Sequence, residues 1–545
     1  MNLISDFKKD LSREFKGYNG KKLSKDIMAG LTVAAVALPL ALAFGVSSGA
    51  TAAAGLVTAI VAGIVIGALS GASFQVSGPT GAMTAILVTL SAKFGMQGIL
   101  IACFFAGIIL LVAGILKVGK IISFIPSSVI TGFTSGIAII IALGQLDNLF
   151  GVTSQGNLAI SKVISYFTDG FNPDWHSMLF GFLVMAIMIV WPKKLNNILP
   201  SSLLALIVVL GLNAVLRFDV AVVGEIPKTI FLDERLSVFE IPWVNFWDFF
   251  VPALSIAALA MIESLLCGAS AGKLKKEKMN GDRELVAQGV GNIVIPLLGG
   301  VPATAAIART SVEIKAGGET RLAGMFHSVF LLMSMFILAP IMSAIPLSAL
   351  AGVLIITAWR MNDWENINFI FSHKFKSGIS KFVITMVATV LLDLTQAIII
   401  GVAFSSFLIV VKIADIEINI AEIDGDKLEA AGFSIPKVDE KVRIAYLTGT
   451  IFFAVVEKLN EQLFKLGYTN TLILSMRGVP VIDLSGLQGL IELLDELEEQ
   501  NVEIMITSAQ PKVLTDLDRA GILDRIGRDH VFDSAEHAIV HAHDL

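Results

Sequence analysis

The sequence predicts an α-helical polytopic membrane protein with a small α/β domain at its C-terminal end. Three observations predict it. Of 545 residues, 55% are hydrophobic and only 16% charged, and the mean hydropathy is +0.78; soluble domains carry about 25% charged residues. The apolar excess lies in residues 26–413, long enough for more than ten helices of about 20 residues. After a charged connector, 414–440, residues 441–545 alternate aliphatic strands with amphipathic helices.

Residues 1–25 hold seven Lys/Arg and no apolar run, which reads as a cytoplasmic N-terminal segment and not a signal peptide. The transmembrane domain, 26–413, divides into fourteen apolar segments: 27–47, 51–70, 79–93, 97–116, 124–148, 177–192, 199–216, 248–271, 285–298, 303–315, 322–343, 346–359, 380–393 and 395–413. Lys117/Lys120, Lys193/Lys194, the Lys273–Arg283 cluster and Arg360–Lys381 follow the even-numbered segments, whereas 149–176 has only Lys162. Basic loops mark the cytoplasmic side, so both termini are expected there, in a multi-pass protein of the cell membrane.

The two cysteines, Cys103 and Cys267, both sit in apolar runs, and a disulfide framework or cysteine zinc site is not expected. The sequence has no Walker A loop, so ATP-driven pumping is not expected either. An enzyme, a cofactor, a bound metal and a nucleic-acid partner are likewise not expected.

Two segments are too short. The third opens with SGPTGAMTAI (77–86) and the tenth with GGVPATAAIART (299–310). They stand seven segments apart, so the chain reads as a 7+7 inverted repeat with two interrupted helices in matched positions. Such pairs point to a midplane binding site, although a Pro kink in one helix alone is tolerated in membranes. A helix that starts inside the bilayer leaves its first N–H groups free, and these favour an anion. The expected substrate-binding residues are Ser77, Thr80, Gly81, Thr84, Pro302, Ala303, Thr304, Ala305 and Arg309. With a helix starting at Pro302, Arg309 lies about 10.5 Å along it. It then shares a face with Ala305 and Ala306; the alternative is an arginine that snorkels to the surface beside Glu313.

Glu263 lies in VPALSIAALAMIESLLCGASAGK, behind a dozen residues that are apolar except for Ser255. A carboxylate there needs a partner, a water cavity or a proton. It is the expected proton-coupling residue, with a purely structural Glu–Arg pair as the alternative. Gln288 and Asn292 read as bonds between helices, His327 as a core histidine and Asp393 as a helix-end residue.

ALPLALAFGVSSGA, SGPTGAMT, ELVAQGVGN (284–292) and GGVPATAAIART together resemble the SulP, or solute carrier family 26, anion transporters over nearly the whole chain. The resemblance implies fourteen spans in a core and a gate domain, with substrate between half-helices three and ten. It also implies a homodimer with a cytoplasmic STAS domain, and sulfate, bicarbonate, chloride, oxalate or dicarboxylates as cargo. In the sodium–bicarbonate branch the eighth span carries an aspartate, a threonine four residues later and another threonine in span ten. Here those places resemble Glu263, Cys267 and Ile307, which implies proton coupling.

In the C-terminal domain VRIAYLTGT (442–450), TLILSMRG (471–478) and VEIMITSA (502–509) read as strands, and 452–466 and 486–500 as helices. IDLSG (482–486) resembles the STAS signature, which makes Ser485 a candidate regulatory phosphosite or simply an N-cap. The leading expectation is a secondary, proton-coupled anion symporter acting on a small inorganic anion or dicarboxylate. The alternatives are a sodium-coupled bicarbonate symporter or an anion exchanger on the same fold, and a membrane-anchored STAS sensor. Its expected partners are the anion, the proton, the lipid bilayer and a second copy of the chain.

Overall fold

The structure of the chain is a computed structural model. The structure describes residues 3–120, 125–154, 159–168, 170–192, 195, 199–241, 246–392, 394–414, 416–424, 428–429, 432–433, 441–464 and 469–544. Lys193, Lys194 and Asp393 lie outside them. The chain divides into two compact units, Met1–Val402 and Ala403–Leu545.

The first unit is helical. Its elements are α1 (Leu3–Glu14), α2 (Gly20–Ser47), α3 (Ala52–Leu69), β1 (Ser77–Gly78), α4 (Gly81–Ile115), α5 (Ser127–Gly144), α6 (Leu146–Phe150), α7 (Ala159–Thr168), α8 (Trp175–Val190) and α9 (Ser201–Leu216). Then come α10 (Phe246–Lys275), α11 (Gly281–Val294), β2 (Thr304–Ala305), α12 (Ile307–Lys315), α13 (Leu322–Ile337), α14 (Ala339–Ser343), α15 (Leu347–Met361), α16 (Trp364–Ser372) and α17 (Lys376–Leu391). The boundary between the units falls inside α18 (Leu394–Ile413). Among the described residues, six helices are long and apolar enough to cross a bilayer unaided. Helices apolar on every side, such as α3, suit lipid or a protein interior and not a water-facing surface. The α4 stretch is two segments joined at Gly95, whose φ of 66° and ψ of −164° break the helix. A positive φ of this kind favours glycine.

Packing follows a two-fold pattern. Call the apolar segments one to fourteen as above. Segment four, the second half of α4, lies in the helix that packs on α10 and α11, segments eight and nine; correspondingly, α13, segment eleven, packs on α2 and α3, segments one and two. Likewise α5 packs on α17 and α15 packs on α8, which are pairs five–thirteen and twelve–six. Adding seven to every number, modulo fourteen, maps each pair onto its mate, as a 7+7 repeat requires. Within this pattern α2, α3, α4 and α10–α13 pack mainly on one another, as do α5, α8, α15 and α17, and the two groups meet where α15 touches α2 and α5 touches α4. Close crossings rely on glycine: a Cβ on Gly289 of α11 would come within 2.5 Å of Leu111 N in α4. Small residues at helix crossings let backbones approach in this way.

Four details depart from the sequence reading. Segment ten is helical only from Ile307, because 301–303 has no regular structure and Thr304–Ala306 is extended. The loop 149–176 contains α7, and 360–381 contains α16. Residues 3–14 form a helix bound to the rest of the unit by ion pairs, Glu14–Arg321 at 2.8 Å and Asp10–Arg283 at 2.6 Å. Glu417–Glu422, read as connector, is a strand.

The second unit holds β3 (Glu417–Glu422), β4 (Val442–Thr448), α19 (Val456–Phe464), β5 (Thr471–Gly478), α20 (Leu484–Glu499), β6 (Glu503–Thr507), α21 (Pro511–Arg519), α22 (Ile522–Ile526), β7 (Val531–Phe532) and α23 (Ala535–Asp544). The sheet order is β3-β4-β5-β6-β7, with β3 antiparallel to β4 and the other pairs parallel. β5 is buried over six successive residues, as a central parallel strand covered on both faces should be. Asp483 caps α20, accepting from Gly486 N at 2.7 Å. Ser485 is therefore not the N-cap; it sits half-buried one residue inside the helix.

Candidate functional site

The two Gly/Pro-interrupted segments meet. Ser77–Gly78 lies antiparallel to Thr304–Ala305, Ser77 opposite Ala305 and Gly78 opposite Thr304. One step on, Ala306 N donates to the Val76 carbonyl at 2.9 Å. Extended backbone buried among helices must find partners for every polar group, and side chains from three helices supply them. From α3, Thr58 Oγ1 accepts from Val301 N at 2.7 Å. From α11, Asn292 imitates a strand: its Oδ1 accepts from Ala303 N at 2.8 Å and its Nδ2 donates to Ala303 O at 3.0 Å. From α10, Ser264 Oγ accepts from Ala305 N at 3.1 Å. Gln288 Nε2 donates to Ser77 Oγ at 2.8 Å and to Glu284 Oε1 at 2.8 Å.

Glu263 stands on α10 beside this pair of strands. Its Oε2 accepts from Thr80 Oγ1 at 2.8 Å and from Thr304 Oγ1 at 2.7 Å. One carboxylate oxygen thus joins the two interrupted segments, while the side chain as a whole remains half-buried.

Arg309 is the third residue of α12 and only 1% exposed. Its Nη2 donates to the Pro79 carbonyl at 2.9 Å, tying α12 to the segment ahead of α4. Nε and Nη1 have no hydrogen-bond partner among the described residues. Gly78 makes this possible, since a Cβ there would lie 2.1 Å from Nη1. Glu263 and Arg309 are close enough to attract one another.

Neither half-helix is closed by a side chain. Thr80 is the N-cap of α4, but its hydroxyl turns to Glu263 and not to its own helix. The N-cap of α12 is Ala306, and Ile307 at the first helical position is 44% exposed. Uncapped N-termini carry partial positive charge and free N–H donors.

The structure therefore brings together Ser77, Thr80, Thr304, Ala305, Arg309 and Glu263, with Gly81 starting α4. Four expected details change. Pro302 does not start the helix, because Thr58, Asn292 and Ser264 take the backbone groups of Val301, Ala303 and Ala305 and hold them out of it. Arg309 consequently shares no helical face with Ala305 or Ala306. Ala303 offers nothing to a ligand, since Asn292 occupies both its polar groups. Thr84 Oγ1 donates to Gly81 O at 2.6 Å, and Thr84 lines a cavity of about 410 Å³ that also touches Lys93, Gln145 and Asp248. His327 is buried, with Nδ1 against Gly324 O at 2.8 Å. Sequence reasoning missed the supporting roles of Thr58 and Ser264; the polar Gln288 and Asn292, four apart on one helix face, were the available signal.

Comparison with known proteins gives the family and the fold. The model of the sulfate permease family matches residues 23–388, and that of the STAS domain matches 435–538. YvdB of Bacillus subtilis, whose name assigns it sulfate transport by inference, is 32% identical, with 96% of this chain and 98% of that one covered. The bicarbonate transporter BicA of Picosynechococcus is 28% identical over 96% of this chain and 95% of its own. The solved structure of the murine Slc26a9 anion transporter superposes with a TM-score of 0.83 at 18% identity, covering 97% of this chain and 92% of that one. The transmembrane domain of a cyanobacterial BicA superposes with a TM-score of 0.65 at 29% identity, covering 70% and 98%.

Proposed function

This chain belongs to the sulfate permease family of membrane anion transporters, and from that premise we propose that it is a proton-coupled symporter of a small inorganic anion or dicarboxylate. The observation that carries the reading is the single Glu263 oxygen held by Thr80 from one interrupted segment and Thr304 from the other. With Glu263 ionised, its charge offsets Arg309, and an arriving anion meets only the partial charges of two helix ends. With Glu263 protonated, Arg309 is unbalanced and the same pocket attracts an anion. Proton and anion each lower the cost of burying the other, so they travel together when the segments around α4, α10 and α12 move against α5, α8, α15 and α17.

Two side chains favour a proton over sodium. Sodium selects hard oxygen ligands, as other hard cations do. Beyond the Thr80 and Thr304 hydroxyls, the next turn of α10 carries the Cys267 thiol, bonded to Thr310 Oγ1 at 3.4 Å, and α12 opens with apolar Ile307, two places that add no hard oxygen. The relatives carry sulfate and bicarbonate in their names, and both are within the cargo class proposed here.

The basic loops support cytoplasmic termini in the cell membrane. The same reading divides the chain into a segment 1–25, a transport domain 26–413, a connector 414–440 and a cytoplasmic STAS domain 441–545, in a homodimer; Ser485, one residue inside α20, stays a candidate phosphosite only. The experiment is uptake of radiolabelled sulfate and bicarbonate into proteoliposomes. An inward proton gradient is expected to raise uptake of at least one anion about 5- to 150-fold, the span of ordinary coupling energies. Uptake that follows sodium or an internal counter-anion and ignores pH would replace this reading with a sodium symporter or exchanger.

A further inference from the structure

Glu313 is the least explained charge in the transport unit. It lies on α12, is 0% exposed, and neither carboxylate oxygen has a hydrogen-bond partner among the described residues. An ionised carboxylate buried without donors is among the costliest states a protein can hold, whereas the protonated acid is tolerable. The side chain is enclosed tightly: a Cβ on Gly318 would meet its Cγ at 2.9 Å, and one on Gly324 of α13 would stand 3.4 Å from Oε2. It does not pair with Arg309, which reaches instead to Pro79.

Its neighbours form a descending series. Glu263 and Cys267 are one turn apart on α10, Cys267 Sγ meets Thr310 Oγ1 at 3.4 Å, and Thr310 and Glu313 are one turn apart on α12. Residues one turn apart on a helix are about 5–6 Å apart at Cβ. Beyond Glu313 lies the end of the unit that carries α1. There Asp26 Oδ1 accepts from Glu319 N at 2.6 Å and Thr320 N at 3.1 Å, Glu14 holds Arg321, and Lys275 Nζ donates to Gly318 O. The charged groups that face Glu313 are Lys275 from α10, Asp26 from α2 and Glu14 from α1, with the Cys267 thiol also near. α13 offers Gly324, whose carbonyl is taken by His327.

We infer that Glu313 is a second proton site, through which the proton leaving Glu263 passes on its way to the face of the protein that carries α1. The inference rests on the proton-coupled reading. Glu313 takes the proton that leaves Glu263 on one oxygen as it gives its own proton from the other to water at the end that carries Asp26 and Glu14, so an O–H bond breaks at Glu263, one forms and one breaks at Glu313, and the buried carboxylate is never left ionised. Thr310 and Cys267 pass the proton by exchanging hydrogen bonds and keep none of it.

The test uses the reconstituted full chain, radiolabelled sulfate and bicarbonate, and a trapped pH dye that reports proton entry. In Glu313→Gln, gradient-driven uptake and proton entry are expected to fall about tenfold, while anion-for-anion exchange at equal pH stays within about twofold of wild type, because exchange needs no net proton movement. Wild-type gradient-driven uptake retained in Glu313→Gln would overturn the inference and leave the coupling role of Glu263 standing. A wild type that ignores the gradient would instead remove the coupled reading itself. Should Glu313→Gln fail to fold, infrared spectra of Glu263→Gln decide the matter. A remaining protonated-carboxyl band that weakens at alkaline pH is expected, and its absence overturns the proposal.

Discussion

Proteoliposomes carrying Glu263→Gln are expected to lose the uptake that an inward proton gradient drives, by about 5- to 150-fold. Glutamine keeps the length of the side chain and still offers an oxygen to Thr80 and Thr304, which donate to Glu263 Oε2 at 2.8 and 2.7 Å. The joint between the two interrupted segments therefore survives, and the variant folds. What it lacks is a charge that can appear and disappear. With a permanently neutral residue beside Arg309, the pocket stays attractive to anions at every pH, so anion binding becomes nearly independent of pH while gradient-driven net transport fails. Undiminished gradient-driven uptake in this variant would exclude Glu263 as the coupling group.

The second large effect concerns Arg309. In Arg309→Gln, anion uptake is expected to fall to the background of empty liposomes. The guanidinium is 1% exposed, ties α12 to the Pro79 carbonyl at 2.9 Å, and is the fixed charge that faces Glu263. Its removal leaves the half-buried Glu263 carboxylate without its compensating positive charge, which destabilises the fold. The double variant Glu263→Gln/Arg309→Gln is therefore expected to be more thermally stable than Arg309→Gln alone, although equally inactive. Melting temperatures of the purified singles and double form the cycle that reads this coupling. Arg309→Lys does not restore transport, because one ammonium cannot reproduce the planar fork that fits beneath Gly78. A double variant no more stable than the single one would show that the two charges do not depend on each other.

Much of this is legible in the sequence itself. Composition marked the membrane unit, the matched defects at SGPTGAMTAI and GGVPATAAIART marked the site, and Glu263 stood out as a carboxylate in an apolar run. The illegible parts are those settled by partners far away in the chain. Val-Pro-Ala-Thr-Ala can open a helix or stay out of one; Thr58, Asn292 and Ser264 keep it out, and the first two lie 243 and 11 residues from the groups they bind. The threonines looked like donors for a substrate, and it takes the fold to turn Thr80 and Thr304 onto Glu263. α1 is short, polar and amphipathic, which sequence reads as a surface segment; only the fold brings Glu14 to Arg321, 307 positions away. Strand β3 was legible, since Ile418 and Ile420 alternate with Glu417 and Asn419, but the acidic residues around it made the stretch read as a linker.

The central claim is that the anion docks at the open N-termini where β1 and β2 meet, and cysteine protection tests it most directly. Cys103 and Cys267 are both 0% exposed, so the native thiols are shielded, whereas Ile307, at the first turn of α12, is 44% exposed. In Ile307→Cys, modification by a charged thiol reagent is expected to slow as transported sulfate or bicarbonate is added, with half-protection near the concentration that half-saturates uptake. Labelling that proceeds at one rate whether or not uptake is saturated would contradict the account.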